Sequence, residues 1–272
     1  MTNNQKFALI TGATHGIGYE LAKLFAQDQY NLVIVARSQD ELEQRANEFR
    51  NQFGITVLPI AKDLFKEQSA FELYDEVKAQ GIEVDVLVND AGQGQYGKFV
   101  DTDIHRELDI IQLNVVAYTI LTKRFLQDMV VRNQGKILNV SSIAGELPGP
   151  WQAVYHGTKA YVTSFTEAIR AENKDSAVTI TLLEPGVTDT DFFNKADMQD
   201  SKMVREGDLA DPAKVAKDGY DALMEGKDKV VSGFKNKVMV AAGNLMPDSM
   251  MADQMNKQAA PVDQEQPKRA EG

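Results

Sequence analysis

Seven short runs rich in Val, Ile and Leu, at 7–10, 32–35, 57–60, 84–88, 137–140, 178–183 and 229–231, alternate with longer segments of helical periodicity. This alternation constrains the fold more than any other feature of the chain. Runs this short and this uniformly apolar read as parallel strands buried on both faces. Helices are predicted at 17–28, 39–52, 67–80, 104–131, 152–172 and 212–225. The order predicts one doubly wound α/β domain, a mainly parallel seven-stranded sheet with helices on both faces. Ligands of such a sheet bind beyond the carboxyl ends of its strands. At 272 residues, with no linker rich in Pro, Gly and Ser, the chain is long enough for a single large core, assigned here to 1–255. From Asn256 the composition turns polar, with Pro261 and Pro267. It predicts a disordered tail over 256–272 that can be removed with turnover and melting temperature almost unchanged.

Composition excludes several chemistries. The chain has no cysteine, so disulfides, thiol catalysis and zinc-thiolate centres are ruled out, and no metal site is expected. Its formal charge of -11 opposes binding to nucleic acid or to anionic membranes. No apolar run approaches the ~18 residues of a membrane span, and the amino terminus is short and polar. A cytoplasmic protein acting on small molecules is the expectation.

Two motifs carry the chemistry. Thr11-Gly12-Ala13-Thr14-His15-Gly16-Ile17-Gly18 follows the first strand and opens the first helix. Without side chains, its glycines let the backbone approach a pyrophosphate, whose charge the helix amino end favours. Tyr155 and Lys159 stand four residues apart on one helix face, where an ammonium can favour the ionised phenol and so permit proton exchange with a carbonyl oxygen. Either motif alone is weak. Tyr-x-x-x-Lys arises by chance on solvated helices, and a glycine turn can merely close a strand-helix unit. Their order and separation in one chain point to a nicotinamide oxidoreductase.

The pattern T-G-x-x-x-G-x-G, Asp63-Leu64 after strand three, Asn89-Asp90-Ala91-Gly92 after strand four, Ser142 thirteen residues before Tyr155, and Pro185-Gly186 after strand six recur in that order. Together they resemble the short-chain dehydrogenase/reductase family, from about Lys6 to about Gly233. The resemblance implies a Rossmann fold in which Gly12, Thr14, His15, Gly16, Ile17 and Gly18 cradle the cofactor. It places Asp63 and Leu64 at the adenine, and Asn89, Ala91 and Gly92 along the dinucleotide. Pro185, Gly186, Val187 and Thr188 fall at the nicotinamide. The implied catalytic set is Asn114, Ser142, Tyr155 and Lys159. Tyr155 would protonate the substrate oxygen, Ser142 would hold it, Lys159 would bind the nicotinamide ribose and support the phenolate, and Asn114 would order a water behind the lysine. Asp90 departs from the family's second asparagine at a variable position. On the residues alone, Asp63 could instead cap the next helix and Asn89 could brace the sheet.

Strand two ends in Ala36-Arg37-Ser38. Ala36 stands where NAD-preferring relatives carry an aspartate, while Arg37 and Ser38 can bind a 2′-phosphate, with His15 as a further basic group. The cofactor expected is NADP(H), although Arg37 could also be a solvated helix-start residue and His15 a turn residue. The function expected is an NADPH-dependent reductase of a ketone or 3-oxoacyl-type carbonyl. The alternatives are an alcohol or hydroxysteroid-type dehydrogenase working oxidatively, or a non-catalytic NADPH-sensing scaffold. Substrate contacts are expected from 93–98, 144–151 and a mobile lid at about 187–208. The late methionines Met239, Met246, Met250, Met251 and Met255 read as an adaptable cover, a subunit contact or plain packing. The resemblance also implies a homo-dimer or homo-tetramer formed through the helices at 104–131 and 152–172.

Overall fold

The computed structural model describes residues 6–243 and 246–262. Its seven strands are β1 (Phe7–Thr11), β2 (Asn31–Ala36), β3 (Val57–Ala61), β4 (Val84–Asn89), β5 (Gly135–Val140), β6 (Val178–Glu184) and β7 (Lys229–Val231). The helices are α1 (Gly16–Gln27), α2 (Gln39–Phe53), α3 (Glu67–Ala79), α4 (Ile104–Ile111), α5 (Tyr118–Val131), α6 (Ala153–Glu172), α7 (Phe192–Lys195), α8 (Lys202–Arg205), α9 (Pro212–Met224), α10 (Phe234–Gly243) and α11 (Asp248–Ala259). The strands form one sheet in the order β3-β2-β1-β4-β5-β6-β7, and every neighbouring pair is parallel. The winding reverses between β1 and β4. A crevice opens at such a reversal, at the carboxyl ends of the strands.

Side-chain alternation splits the core into two layers. Ala8, Ile10, Leu32 and Ile34 face α1, α2 and α9, where they meet Leu21, Phe25, Leu42, Phe49 and Val215. Leu9, Val33, Val35 and Ile60 face the opposite layer, meeting Leu73, Val77, Leu121 and Phe125. Burying each such Leu, Ile or Phe side chain is worth about 1.5–3 kcal/mol. Because both faces are covered, the strands read as unbroken apolar runs. The helix expected at 104–131 is interrupted by a π-helical turn, Gln112–Ala117, which carries Asn114. Such bulges displace a helix face locally and recur at functional sites.

The boundary expected at Asn256 is corrected. Residues 256–259 complete α11, and the body continues to Val262 through Lys202 N donating to Ala260 O (3.2 Å) and Val262 N donating to Asp200 O (3.1 Å). Met251, Met255 and Ala259, spaced four apart, form one buried stripe on an otherwise polar helix. A stripe this narrow barely alters composition. The remainder of that expected tail, 263–272, lies outside the described residues. Among the described residues no helix is long and apolar enough to cross a membrane.

Candidate active site

The carboxyl ends of six strands, β1 to β6, feed one cavity of about 490 Å³. After β1, the backbone turns through Gly12 (φ +75°) and Gly16 (φ +58°) into α1. A Cβ on Gly18 would lie 2.5 Å from Gly12 O, so only glycine lets the turn fold this tightly. Arg45 Nε donates to Thr14 O (3.1 Å) and is held by Glu48 (2.9 Å), fixing the turn from α2. Gly12, Thr14, His15, Gly16 and Ile17 line the cavity. This is a cradle that side chains would fill, and its shape and helix-end charge fit a dinucleotide diphosphate.

At the β2 end, Ala36, Arg37 and Ser38 line the same cavity. Arg37 stacks over Phe65, 5.2 Å from guanidinium carbon to ring centroid, and Ser38 caps α2 by accepting from Glu41 N (3.4 Å). Leu64 lines the cavity, but Asp63 does not; its carboxylate accepts from Phe65 N (3.4 Å) and turns toward Lys66. Asp63 thus serves its own turn, the alternative its sequence position left open, while Phe65 lines the cavity beside Leu64. Asn89 does not line the cavity. It is buried behind the cavity wall, donating to Thr122 Oγ1 (2.9 Å) and Asn139 Oδ1 (3.0 Å), and it braces the sheet. Ala91 and Gly92 do reach the cavity.

Asp90, the departure from the family's second asparagine, lies in the floor of the site. Its Oδ2 would stand 2.6 Å from a Cβ on Gly18. Burial pushes its carboxyl up to about 7, opposed by the charge of Lys159 and the Gly18 amide. Lys159 is buried as well. Burial pushes its ammonium down to about 8, and Asp90 opposes that shift.

Ser142 at the end of β5 and Tyr155 and Lys159 on α6 converge on the cavity. Ser142 Oγ donates to Pro185 O (3.3 Å) and accepts from Ala144 N (3.1 Å), and its hydroxyl faces the Tyr155 phenol closely enough to oppose the rise in that group's pKa. Lys159 Nζ lies 5.8 Å from the Tyr155 ring centroid and donates to Val140 O (2.9 Å). Burial pushes Tyr155 up to about 12, and the neighbouring Ser142 hydroxyl only partly offsets it. A phenol held protonated in this way suits an acid donating to a substrate oxygen. Asn114 lies behind the site and is fully satisfied, its amide exchanging bonds with the backbone of Gln93 (3.0 and 2.8 Å) and donating to Thr158 (3.0 Å). A Cβ on Gly92 would sit 3.4 Å from Lys159 Nζ and 3.5 Å from Asn114 Oδ1, so the two side chains flank the same backbone.

Pro185, Gly186, Val187 and Thr188 form the wall after β6, with Thr188 Oγ1 donating to Gly186 O (2.9 Å). Beneath it, Ser141 Oγ bonds Lys159 O and Thr163 (both 2.9 Å), and Thr163 donates to Glu184 Oε1 (3.1 Å). Glu184 is wholly buried between Glu146 and Lys229. Burial, then its bond to Glu146, pushes Glu184 up to about 7. A carboxyl with a raised folded pKa stabilises the fold at low pH and loses that stability as pH rises through the folded value. Glu184→Gln should therefore melt near the wild-type temperature at pH 5 and roughly 2 °C or more above it at pH 8.5, by calorimetry. A constant difference across that range would remove Glu184 as the titrating group.

The sequence reading missed Phe65, Gln152, Asn236 and Gln258, all of which line the cavity. For Gln152 a signal existed, three residues before Tyr155 at the start of the same helix.

This arrangement belongs to the class of doubly wound dinucleotide-binding domains. Within it, a sequence model of the short chain dehydrogenase family matches residues 6–201, and the chain belongs to that family. It is 33% identical over 185 residues to a very-long-chain 3-oxoacyl-CoA reductase of Anas platyrhynchos, covering 66% of this chain and 58% of that protein. The match therefore spans less than two thirds of the relative's own length. An NADP-dependent 3-hydroxy acid dehydrogenase of Schizosaccharomyces pombe is 32% identical, with 69% of this chain and 73% of that protein covered. Among solved structures, the short-chain dehydrogenase from Sphingobium yanoikuyae in complex with NADPH superposes with a TM-score of 0.81 at 24% identity, covering 94% of this chain and 98% of that one. At that identity the likeness speaks for the fold.

Proposed function

We propose that the protein is an NADPH-dependent reductase of 3-oxoacyl-type carbonyls. The observation that carries the substrate class is Gln152. Its Nε2 is buried without a hydrogen-bond partner, and a Cβ on Gly94 would lie 3.4 Å from both that nitrogen and Tyr155 Cδ2. An unpaired buried amide costs about 1–3 kcal/mol, which an acceptor on a ligand would relieve. A simple ketone brings one oxygen, already served by Ser142 and Tyr155. A 3-oxoacyl thioester brings a second carbonyl two carbons away, within the neighbourhood of Gln152. Phe192 now covers Tyr155, with ring centroids 5.0 Å apart, so substrate entry displaces this part of the lid.

NADPH, when bound, supplies the hydride to the carbonyl carbon. Arg37, Ser38 and His15 would receive its 2′-phosphate, the glycine cradle its diphosphate, and Lys159 the nicotinamide ribose. Ser142 orients the substrate oxygen and Tyr155 gives it a proton, so the alcohol forms without a free alkoxide. A sensing scaffold would not need this set of proton-handling groups.

The test compares a 3-oxoacyl thioester with a chain-matched monoketone. Wild type should favour the thioester in kcat/KM, and Gln152→Leu should erase most of that preference, by about tenfold, with little change on the monoketone. Equal losses on both substrates would show that Gln152 only supports the fold.

We also propose self-association. Ile104, Leu108 and Ile111 are exposed on α4 and Tyr161 on α6, an apolar outer face that a second copy would cover. Light scattering at micromolar concentration should give at least a dimeric mass.

A further inference from the structure

The cavity is roofed by the carboxyl-terminal helix, which lies beyond the family match. Met255 and Gln258 of α11 reach the cavity, joining Met198 and Met203 of the lid, Met239 of α10 and Leu147. Apart from Gln258 this lining is thioether and aliphatic. Unbranched Met side chains adapt to a flexible apolar chain and offer no polar partner to a compact, hydroxylated ligand.

Three parts of the rim fasten this roof. Trp151 Nε1 donates to Asn256 Oδ1 (2.9 Å), and Tyr96 OH donates to Ala259 O (2.5 Å). On the lid, Ser201 forms an antiparallel bridge with Pro261. The Trp151 and Tyr96 rings stack on each other, with centroids 5.6 Å apart and planes inclined by 20°. Trp151 also holds φ at +71°, a left-handed conformation that strains a non-glycine residue. A strained tryptophan and its stacked tyrosine thus each hold the last turn of the same helix against the rim.

We propose that residues 255–262 form a chain-selecting roof, clasped shut by Trp151 and Tyr96, which matches the pocket to substrates carrying a long unbranched acyl chain. This rests on the reductase reading for its catalytic consequence but not for its binding consequence. The aliphatic tail lies under Met255 while the reacting carbonyl remains at Ser142 and Tyr155. The clasp keeps water from the tail and ties lid and roof together, so that both open as one unit to admit it.

The experiment has a binding arm and a turnover arm. In the first, dansylundecanoic acid is titrated against the NADPH-saturated protein, and its emission reports an apolar site. Met255→Glu should weaken the probe at least tenfold and leave NADPH affinity within twofold. In the second, 3-oxoacyl thioesters of four and twelve carbons are compared. Met255→Glu should lose at least tenfold in kcat/KM on the long substrate and less than threefold on the short one. The double variant Tyr96→Phe/Trp151→Phe keeps an aromatic ring at each position and removes both donors; it should raise KM for the long substrate with kcat on the short one unchanged. Should Met255→Glu fold poorly, this double variant decides alone. Equal losses on both chain lengths, or undiminished probe binding, would overturn the proposal. Absence of turnover on any thioester, with probe binding lost in Met255→Glu, would fault the reductase reading and leave the roof standing.

Discussion

Tyr155→Phe is expected to lower kcat by ~10²-fold or more while leaving the Kd for NADPH within about twofold, because only the proton at the substrate oxygen is removed. The ring itself packs against Phe192 and His156, and phenylalanine preserves those contacts. Lys159→Ala should behave differently, damaging cofactor binding and turnover together. Its ammonium is buried at the cavity wall, within bonding distance of Val140 O and over the face of Tyr118. Steady-state kinetics on a 3-oxoacyl thioester, with NADPH fluorescence titration alongside, separates the two. Near-normal turnover in Tyr155→Phe would mean that another group delivers the proton.

The second large effect concerns the cofactor. NADPH should bind at least tenfold tighter than NADH, about 1.4 kcal/mol, since Arg37 and Ser38 stand at the β2 end where a 2′-phosphate would fall. Ala36→Asp with Arg37→Leu should reverse the order, because a carboxylate there holds a ribose diol and repels the phosphate. Equal affinities in the unmodified protein would refute the assignment.

The fold was legible because its signal is local and repeated. All seven strands fall within one or two residues of the apolar runs, and the glycine turn announces itself by three glycines at fixed offsets. Ser142, Tyr155 and Lys159 were legible through the fixed spacing that one strand end and one helix impose. What escaped depends on distant contacts. For Asn89 the sequence left two readings open, because the direction of its side chain is set by Thr122 and Asn139, partners that no local pattern reveals. The raised pKa of Tyr155 follows from burial under a lid whose residues lie more than thirty positions away. The packed end of α11 was hidden in a polar composition, because three small or flexible apolar residues suffice to dock it. Asp90 shows the same limit. Its residue type was plain, but its place beneath the glycine turn, facing Lys159, required the sheet to be assembled.

The most direct measurement follows the hydride. The protein is incubated with NADPH deuterated at the transferring C4 position and a twelve-carbon 3-oxoacyl thioester, and the product is analysed by mass spectrometry and NMR. One deuterium at C3 of a 3-hydroxyacyl product, in a single configuration and absent with Tyr155→Phe at matched times, is the predicted result. NADPH binding without label transfer to any 3-oxoacyl thioester would contradict the reductase assignment.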